Sequence, residues 1–209
     1  MEEQIINMPA VALRGLTILP GMIAHFDVSR ERSLRAIEEA MEQDQRIYLV
    51  TQSNVDREDP TQEDLYRMGI VADIKQVVRL QNDVVRILVD GISRAKLLGF
   101  TGCKKYLEAE ICYCDSNADS LPEDLKEAML LGVREAFHRY AAVIGKISKE
   151  LIRQIDQYED LEKLIDYVTN NLPVSYELKQ QVLEAEDIND RYQVIVSLLL
   201  SQVEVISIK

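Results

Sequence analysis

Between Leu65 and Leu98 the chain reads LYRMGIVADIKQVVRLQNDVVRILVDGISRAKLL, and this span narrows the possible folds more than any other. Gly69 to Val78 and Val84 to Val89 are β-branched runs, and Gln81-Asn82-Asp83 between them suits a tight hairpin turn. Gly91 then punctuates the start of a further strand, Ala95 to Phe100. A helical repeat cannot carry such alternation, so a sheet is expected here. Nothing in the span supplies a nucleophile, a paired acid and base, or a phosphate cradle, which points to a segment that holds something.

Punctuation divides the rest. Six of the eight glycines and three of the five prolines precede residue 115. The polar run Asp115-Ser116-Asn117-Ala118-Asp119-Ser120 follows as a hinge between two architectures. The expected fold is α+β. Residues 1–115 form a β-rich lobe, a small twisted sheet or partial barrel with one helix, and residues 116–209 form an all-α helical bundle. In the first lobe Ile47-Tyr48-Leu49-Val50 and Tyr106 to Tyr113 supply further strands. Ser29 caps the one helix, with Leu34, Ile37 and Met41 at i, i+3 and i+7 on one face.

In the second lobe Pro122 opens a first helix, with Ser120 available as its cap and Leu125, Met129, Gly132, Ala136 and Tyr140 as its stripe. Ser148, Asp160, Ser175 and Asp187 cap four more. The apolar spacing of the last helix continues nearly to Lys209 without a stop signal, as expected of a helix that runs on into a longer chain.

Charge and cysteine content exclude several classes. The formal net charge is −12, with 14 basic against 19 acidic residues in 1–115 and 10 against 17 in 116–209. Only Lys104-Lys105 adjoin, so the chain lacks the basic stripe that duplex or single-stranded nucleic acid requires. No unbroken apolar run approaches the ~18–20 residues that span a bilayer. The start, Met1-Glu2-Glu3-Gln4, is acidic where a signal peptide would be basic, and Cys103, Cys112 and Cys114 cannot all pair. A reduced, cytoplasmic protein is expected.

Chemical sites fare no better. His25 and His138, the only histidines, fall in different lobes, and no nucleophile-elbow or glycine-rich phosphate motif exists. Cys112 and Cys114 alternate onto one strand face, but with Cys103 they make three ligands where structural zinc takes four. Asp115-x-Asn117-x-Asp119 imitates a calcium loop until Lys126 stands where a bidentate carboxylate should close the cage. No metal and no cofactor is expected in this chain.

What remains is apolar surface. In RGLTILPGMIAHF, residues 14–26, the Pro20-Gly21 turn should carry Ile18, Leu19, Met22 and Ile23 outward; the alternative is that they tuck into the sheet's core. Pro20, Met22 and Ile23, with Leu80 from the hairpin, form the candidate binding patch.

The motifs ALRGLTILPGM at 12–22, FDVSRERSLRAIEEAM at 26–41, IYLVTQ at 47–52, DLYRMGIVADIKQ at 64–76 and VRILVDGISRAKL at 85–97 resemble the N-terminal domain of the Lon ATP-dependent proteases. So do VREAFHRYAAVIGKIS at 133–148 and LIDYVTNNLPVSYELKQQVLEAEDINDRYQVI at 164–195. The departures are Ala12 for the family's usual proline, a missing proline near His25, and Gln81-Asn82-Asp83 for a Pro-Asp-Gly or Pro-Asn-Gly turn. The resemblance implies a non-catalytic domain that recognises unfolded or misfolded polypeptides and helps organise a hexamer, or a dimer when isolated. ATP and magnesium would then serve only the ATPase module of the longer protease, beside its Ser-Lys protease module. A free-standing adaptor resembling that domain is the alternative, and an RNA-associated β-barrel, set against the acidic balance, is the next.

Overall fold

A computed structural model describes residues 4–209; Met1–Glu3 of the acidic start lie outside the described residues. The chain divides into two units, Met1–Cys114 and Asp115–Lys209, against an expected division after Asp115.

The first unit holds strands β1 (Ile5–Leu13), β2 (Ile23–Val28), β3 (Arg46–Thr51), β4 (Met68–Arg79), β5 (Val85–Phe100) and β6 (Glu108–Tyr113), with helix α1 (Glu31–Glu42) after β2. They form one sheet in the order β2-β5-β4-β3-β1-β6, and β5 also pairs with β6. The sheet therefore curls back on itself: the first half of β5 pairs with β2 and its second half with β6. Among the described residues only β1 and β3 run parallel.

Strand faces explain the apolar runs. Val11, Leu13, Ile47, Leu49, Ile70 and Ala72 belong to one buried cluster, while their neighbours Ala10, Ala12, Tyr48, Val50 and Val71 belong to another. Strands covered on both faces read as continuous apolar sequence, which is why β3 was legible as IYLV. The Tyr48 hydroxyl meets that burial by donating to the Ala95 carbonyl at 2.9 Å.

Several expectations for this unit are corrected. Ala95–Phe100 is no separate strand: it continues Val84–Val89 as the single 16-residue β5. The register of β5 with its neighbours slips three times: Ile92 is extra against β4 and Leu98 against β6, both exposed, while Lys75 is the extra residue on β4. The N-cap of α1 is Arg30, without a side-chain cap bond, and not Ser29. Its buried face is Ser33, Ala36, Ile37 and Ala40; Leu34 is half-buried and Met41 exposed. Small residues let the helix lie close on the sheet, which moves the larger ones to its flank. Of the two placements open for Ile18 and Leu19, surface or core, the structure takes the core: they are 1% and 0% exposed.

The second unit contains α2 (Glu123–Ile144), α3 (Lys149–Gln157), α4 (Leu161–Asn170), α5 (Tyr176–Glu184) and α6 (Ile188–Ile208). Four caps fall where residue type placed them. Ser148 accepts from the Leu151 amide at 3.1 Å, Asp160 from Lys163 at 3.0 Å, Ser175 from Leu178 at 3.4 Å and Asp187 from Asn189 at 2.8 Å. Ser120 does not cap α2: its hydroxyl donates to the Asn117 carbonyl, and the N-cap is Pro122. Nor is Asp115–Ser120 a free linker. The Ile188 amide donates to the Ser116 carbonyl at 2.8 Å, and the Asn117 side-chain amide donates to Asp187, so the segment is tied to the start of α6.

Helix α6 is 21 residues long, and by length and composition alone an 18-residue window of it is apolar enough to cross a membrane, although no unbroken apolar run shows in the sequence. In this structure it packs against α2, burying Ile188, Ile195, Leu198 and Leu199, and Arg191 is buried with them.

Candidate functional site

The four residues expected to form one patch fall at two ends of the β2–β5 ladder, which occupies the first half of β5. At one end Leu19 to Met22 make a type II turn, in which the Met22 amide donates to the Leu19 carbonyl at 3.1 Å. Proline suits the second position of such a turn, and Gly21 takes the third with φ +80°. The turn is pinned to the strand. The Gly21 amide donates to the Gly91 carbonyl at 2.8 Å, and the Gly91 amide to Met22 at 2.9 Å. Pro20 is half-buried, Met22 is half-buried against the first cluster, and Ile23 is 68% exposed. The bulge residue Ile92, next to Gly91 and 38% exposed, belongs to this end and was missed by sequence reasoning. A register slip depends on the partner strand, so no local signal could have found it.

At the other end is the β4–β5 hairpin. Asn82 and Asp83 both take left-handed φ, 61° and 57°, and the Leu80 amide donates to the Val84 carbonyl at 2.8 Å. That is the turn whose twist matches a hairpin, reached here with Asn-Asp in place of Asn-Gly. Leu80 stands 38% exposed beside α1. Between helix and hairpin lies a groove of about 510 Å³. Leu34, Ile37, Val77, Leu80, Val84 and Val85 supply its apolar surface, and Glu31, Glu38, Arg79 and Asp83 its polar margin.

Register measures the separation. Ile23 faces Asp90, whereas Val28 and Arg79 both face Val85. Five residues of extended strand cover about 16 Å, so Leu80 joins the groove and not the turn. Between the ends, Arg86 grips Asp27 through Nε–Oδ1 at 2.8 Å and Nη2–Oδ2 at 3.2 Å. That hydrogen-bonded pair holds the Asp27 carboxyl below the usual carboxylate range.

His25 is exposed on β2, and His138 Nε2 lies 2.7 Å from Asp156 Oδ1 at the surface of the second unit. Cys112 is buried, Cys103 and Cys114 are partly covered, and none of the three is in a disulfide. Among the described residues no three His, Cys, Asp or Glu side chains converge as a metal site.

The described residues thus make a β-rich unit with apolar clefts, followed by a helical bundle. The family model described as the ATP-dependent protease La (LON) substrate-binding domain matches residues 7–201, and the chain belongs to that family. It is 37% identical over 209 residues to the Lon protease of Lachnoclostridium phytofermentans, covering 100% of this chain and 26% of that protein. Against Lon protease 1 of Bacillus subtilis the identity is 30%, again over 100% of this chain and 27% of the relative. The chain thus spans about a quarter of the length of these relatives, and only the Lon N-terminal substrate-binding domain lies within it.

The fold agrees. The N-terminal domain of the Mycobacterium avium complex Lon protease superposes with a TM-score of 0.75 at 19% identity, over 93% of this chain and 98% of that one. The Lon N-terminal domain protein of Xanthomonas campestris gives 0.62 at 12% identity, over 92% and 98%.

Proposed function

We propose that this chain captures unfolded or misfolded polypeptides through their exposed apolar segments, as the recognition module of a longer ATP-dependent Lon protease. The observation that carries this reading is the groove between α1 and the β4–β5 hairpin, apolar inside and charged at its margin. Unfolded chains differ from folded ones in the apolar surface they offer, and a cleft of this composition sorts on that difference. The Pro20–Ile23 turn with Ile92 is a second contact about 16 Å along β5. Each contact is weak alone, and two on one substrate raise effective concentration.

The module works without cofactor or metal; ATP and magnesium serve the ATPase module of such a protease. Self-association into a hexamer in the cytoplasm completes the reading. Linked copies then turn weak capture into useful avidity.

The test is binding of a reduced, carboxymethylated and therefore permanently unfolded protein. Leu80→Asp puts a carboxylate at the mouth of the groove and is expected to weaken capture by about tenfold, with the far-ultraviolet circular dichroism unchanged. Unaltered capture by both Leu80→Asp and Met22→Asp would sink the reading.

A further inference from the structure

Strand β2 is the edge of the sheet, and its free side carries unused backbone groups. Among the described residues it pairs with β5 alone. Gly91 donates to Met22, so alternation along an antiparallel ladder turns Ala24, Phe26 and Val28 toward β5. The N–H and C=O of Ile23, His25 and Asp27 then face away, and no protein group bonds them among the described residues. An exposed edge with three such residues in a row is a template for another strand.

Two features say what that strand would be. Its inward side chains would point the same way as Phe26 and Val28. On that side a cavity of about 370 Å³ has Val11, Leu13, Leu16 and Phe26 as its apolar lining and Arg14, Arg30, Ser33 and Glu58 among its polar lining, so the inward side chains that meet Phe26 and Val28 should be apolar. Arg30 limits the cavity, donating to the carbonyls of Ala12 and Glu58 and to Gln52 Oε1, which bounds the segment at about six residues, given ~3.3 Å of rise for each.

Charge selects the outward face. Across the sheet Ile23, Asp90, Asp73 and Arg46 stand in one row. Arg46 neutralises Asp73 at 3.4 Å, while Asp90, directly opposite Asp73, has no cation among the described residues. Two carboxylates facing each other across strands repel. A lysine or arginine on an added strand would lie over Ile23 and, at two strand spacings or about 10 Å, bring its charge to Asp90.

We propose that the substrate segment binds by β-augmentation on β2, as an extended stretch with apolar residues at alternate positions and a lysine or arginine against Ile23. This rests on the substrate-capture reading and names the class of segment taken.

The probe is acetyl-Lys-Val-Thr-Val-Thr-Val-Thr-amide, followed by fluorescence anisotropy with the 209-residue chain. Methylating the amide nitrogens of the valines in one peptide, and of the threonines in another, should abolish binding for one pattern and spare the other. On the protein side His25→Pro removes an outward N–H without touching the ladder to β5, since proline is tolerated on that side of an edge strand. It should bind about tenfold more weakly, against less than a twofold change for His25→Ala. Replacing the peptide lysine by glutamate should weaken binding to the native chain, and Asp90→Asn should remove that discrimination.

Equal binding of the two methylated peptides, native affinity in a folded His25→Pro chain, or no binding of the parent peptide would overturn the proposal. Should His25→Pro fail to fold, the methylated pair decides alone. Capture of the carboxymethylated protein by the native chain in any of these cases would leave the broader reading standing, and its loss would remove both.

Discussion

Gly91→Ala is the perturbation that bears most directly on the turn end of the site. A Cβ at this position would lie 2.4 Å from the Leu19 carbonyl oxygen, 2.8 Å from Ile70 Cδ1 and 3.3 Å from Ile18 Cγ2. The first is a backbone atom of the type II turn, and Ile18 and Ile70 sit in the first core cluster. None of the three is the loose end of an exposed side chain, so the turn itself has to move. Gly91 does not occupy the left-handed region, so backbone strain adds nothing. Moving the turn costs the two bonds that pin it, Gly21 to Gly91 and Gly91 to Met22, at about 1 kcal/mol each. Forcing a methyl into packed surroundings costs ~1–3 kcal/mol more. The expected loss is about 3–5 kcal/mol, read from urea unfolding of the first unit by circular dichroism, with faster hydrogen exchange at the Gly21 and Gly91 amides. Gly99→Ala is the control in the same strand: its nearest neighbour would be the Gln62 side-chain oxygen at 3.6 Å, an ordinary contact. It should be neutral or slightly stabilising. A Gly91→Ala chain within about 0.5 kcal/mol of native, with both amides still protected, would refute the claim that close approach is what requires glycine here.

Two further outcomes follow from side chains away from the site. Tyr106 donates to Glu108 Oε2 at 2.9 Å, and burial first, then that bond, push its pKa up to about 12. The folded chain then keeps a proton that the unfolded chain releases from pH 10.0 upward, so stability should fall as pH rises from about 10 to about 12. Tyr106→Phe should flatten that fall, and an unchanged slope would refute the assignment. Arg191, 2% exposed, donates to the carbonyls of Ala185 and Glu186 and to Glu162 Oε1. Arg191→Ala should cost about 3 kcal/mol in urea unfolding, because it strands carbonyls at the end of α5. Glu162→Gln, whose side chain is 41% exposed, should cost under about 1 kcal/mol.

Helix starts were legible because capping is local. Ser148, Asp160, Ser175 and Asp187 each bond an amide two or three residues on, and nothing distant enters. Ser29 failed for the opposite reason. Arg30 takes the extended cap position while its guanidinium bonds Ala12, Gln52 and Glu58, all remote in sequence. Strands divided the same way. β3 carried an unbroken β-branched and aromatic signal. In contrast β1 and β2 went unread, since Asn7, Pro9 and two alanines weaken one and His25 and Asp27 the other. Both are strands because neighbouring strands pair with them.

The candidate site shows why residue type found the parts but not their grouping. Pro20, Met22, Ile23 and Leu80 were chosen for turn chemistry and apolar character, and each does border exposed surface. What joins Leu80 to Leu34 and Val77 is the docking of α1 on the hairpin, and what joins Ile23 to Ile92 is a bulge. Gly91 makes the point within one residue. In sequence it reads as a break between strands, yet the strand runs straight through it, and glycine is there because the Leu19 carbonyl passes 2.4 Å from where a Cβ would stand. The same residue that seemed to end a strand is what lets the turn dock on it. Any change that keeps the turn sequence but fills position 91 should therefore move Met22 and Ile23 together and leave Leu80 where it is. Substrate capture would then lose the contribution of one end of the β2–β5 ladder and keep that of the other.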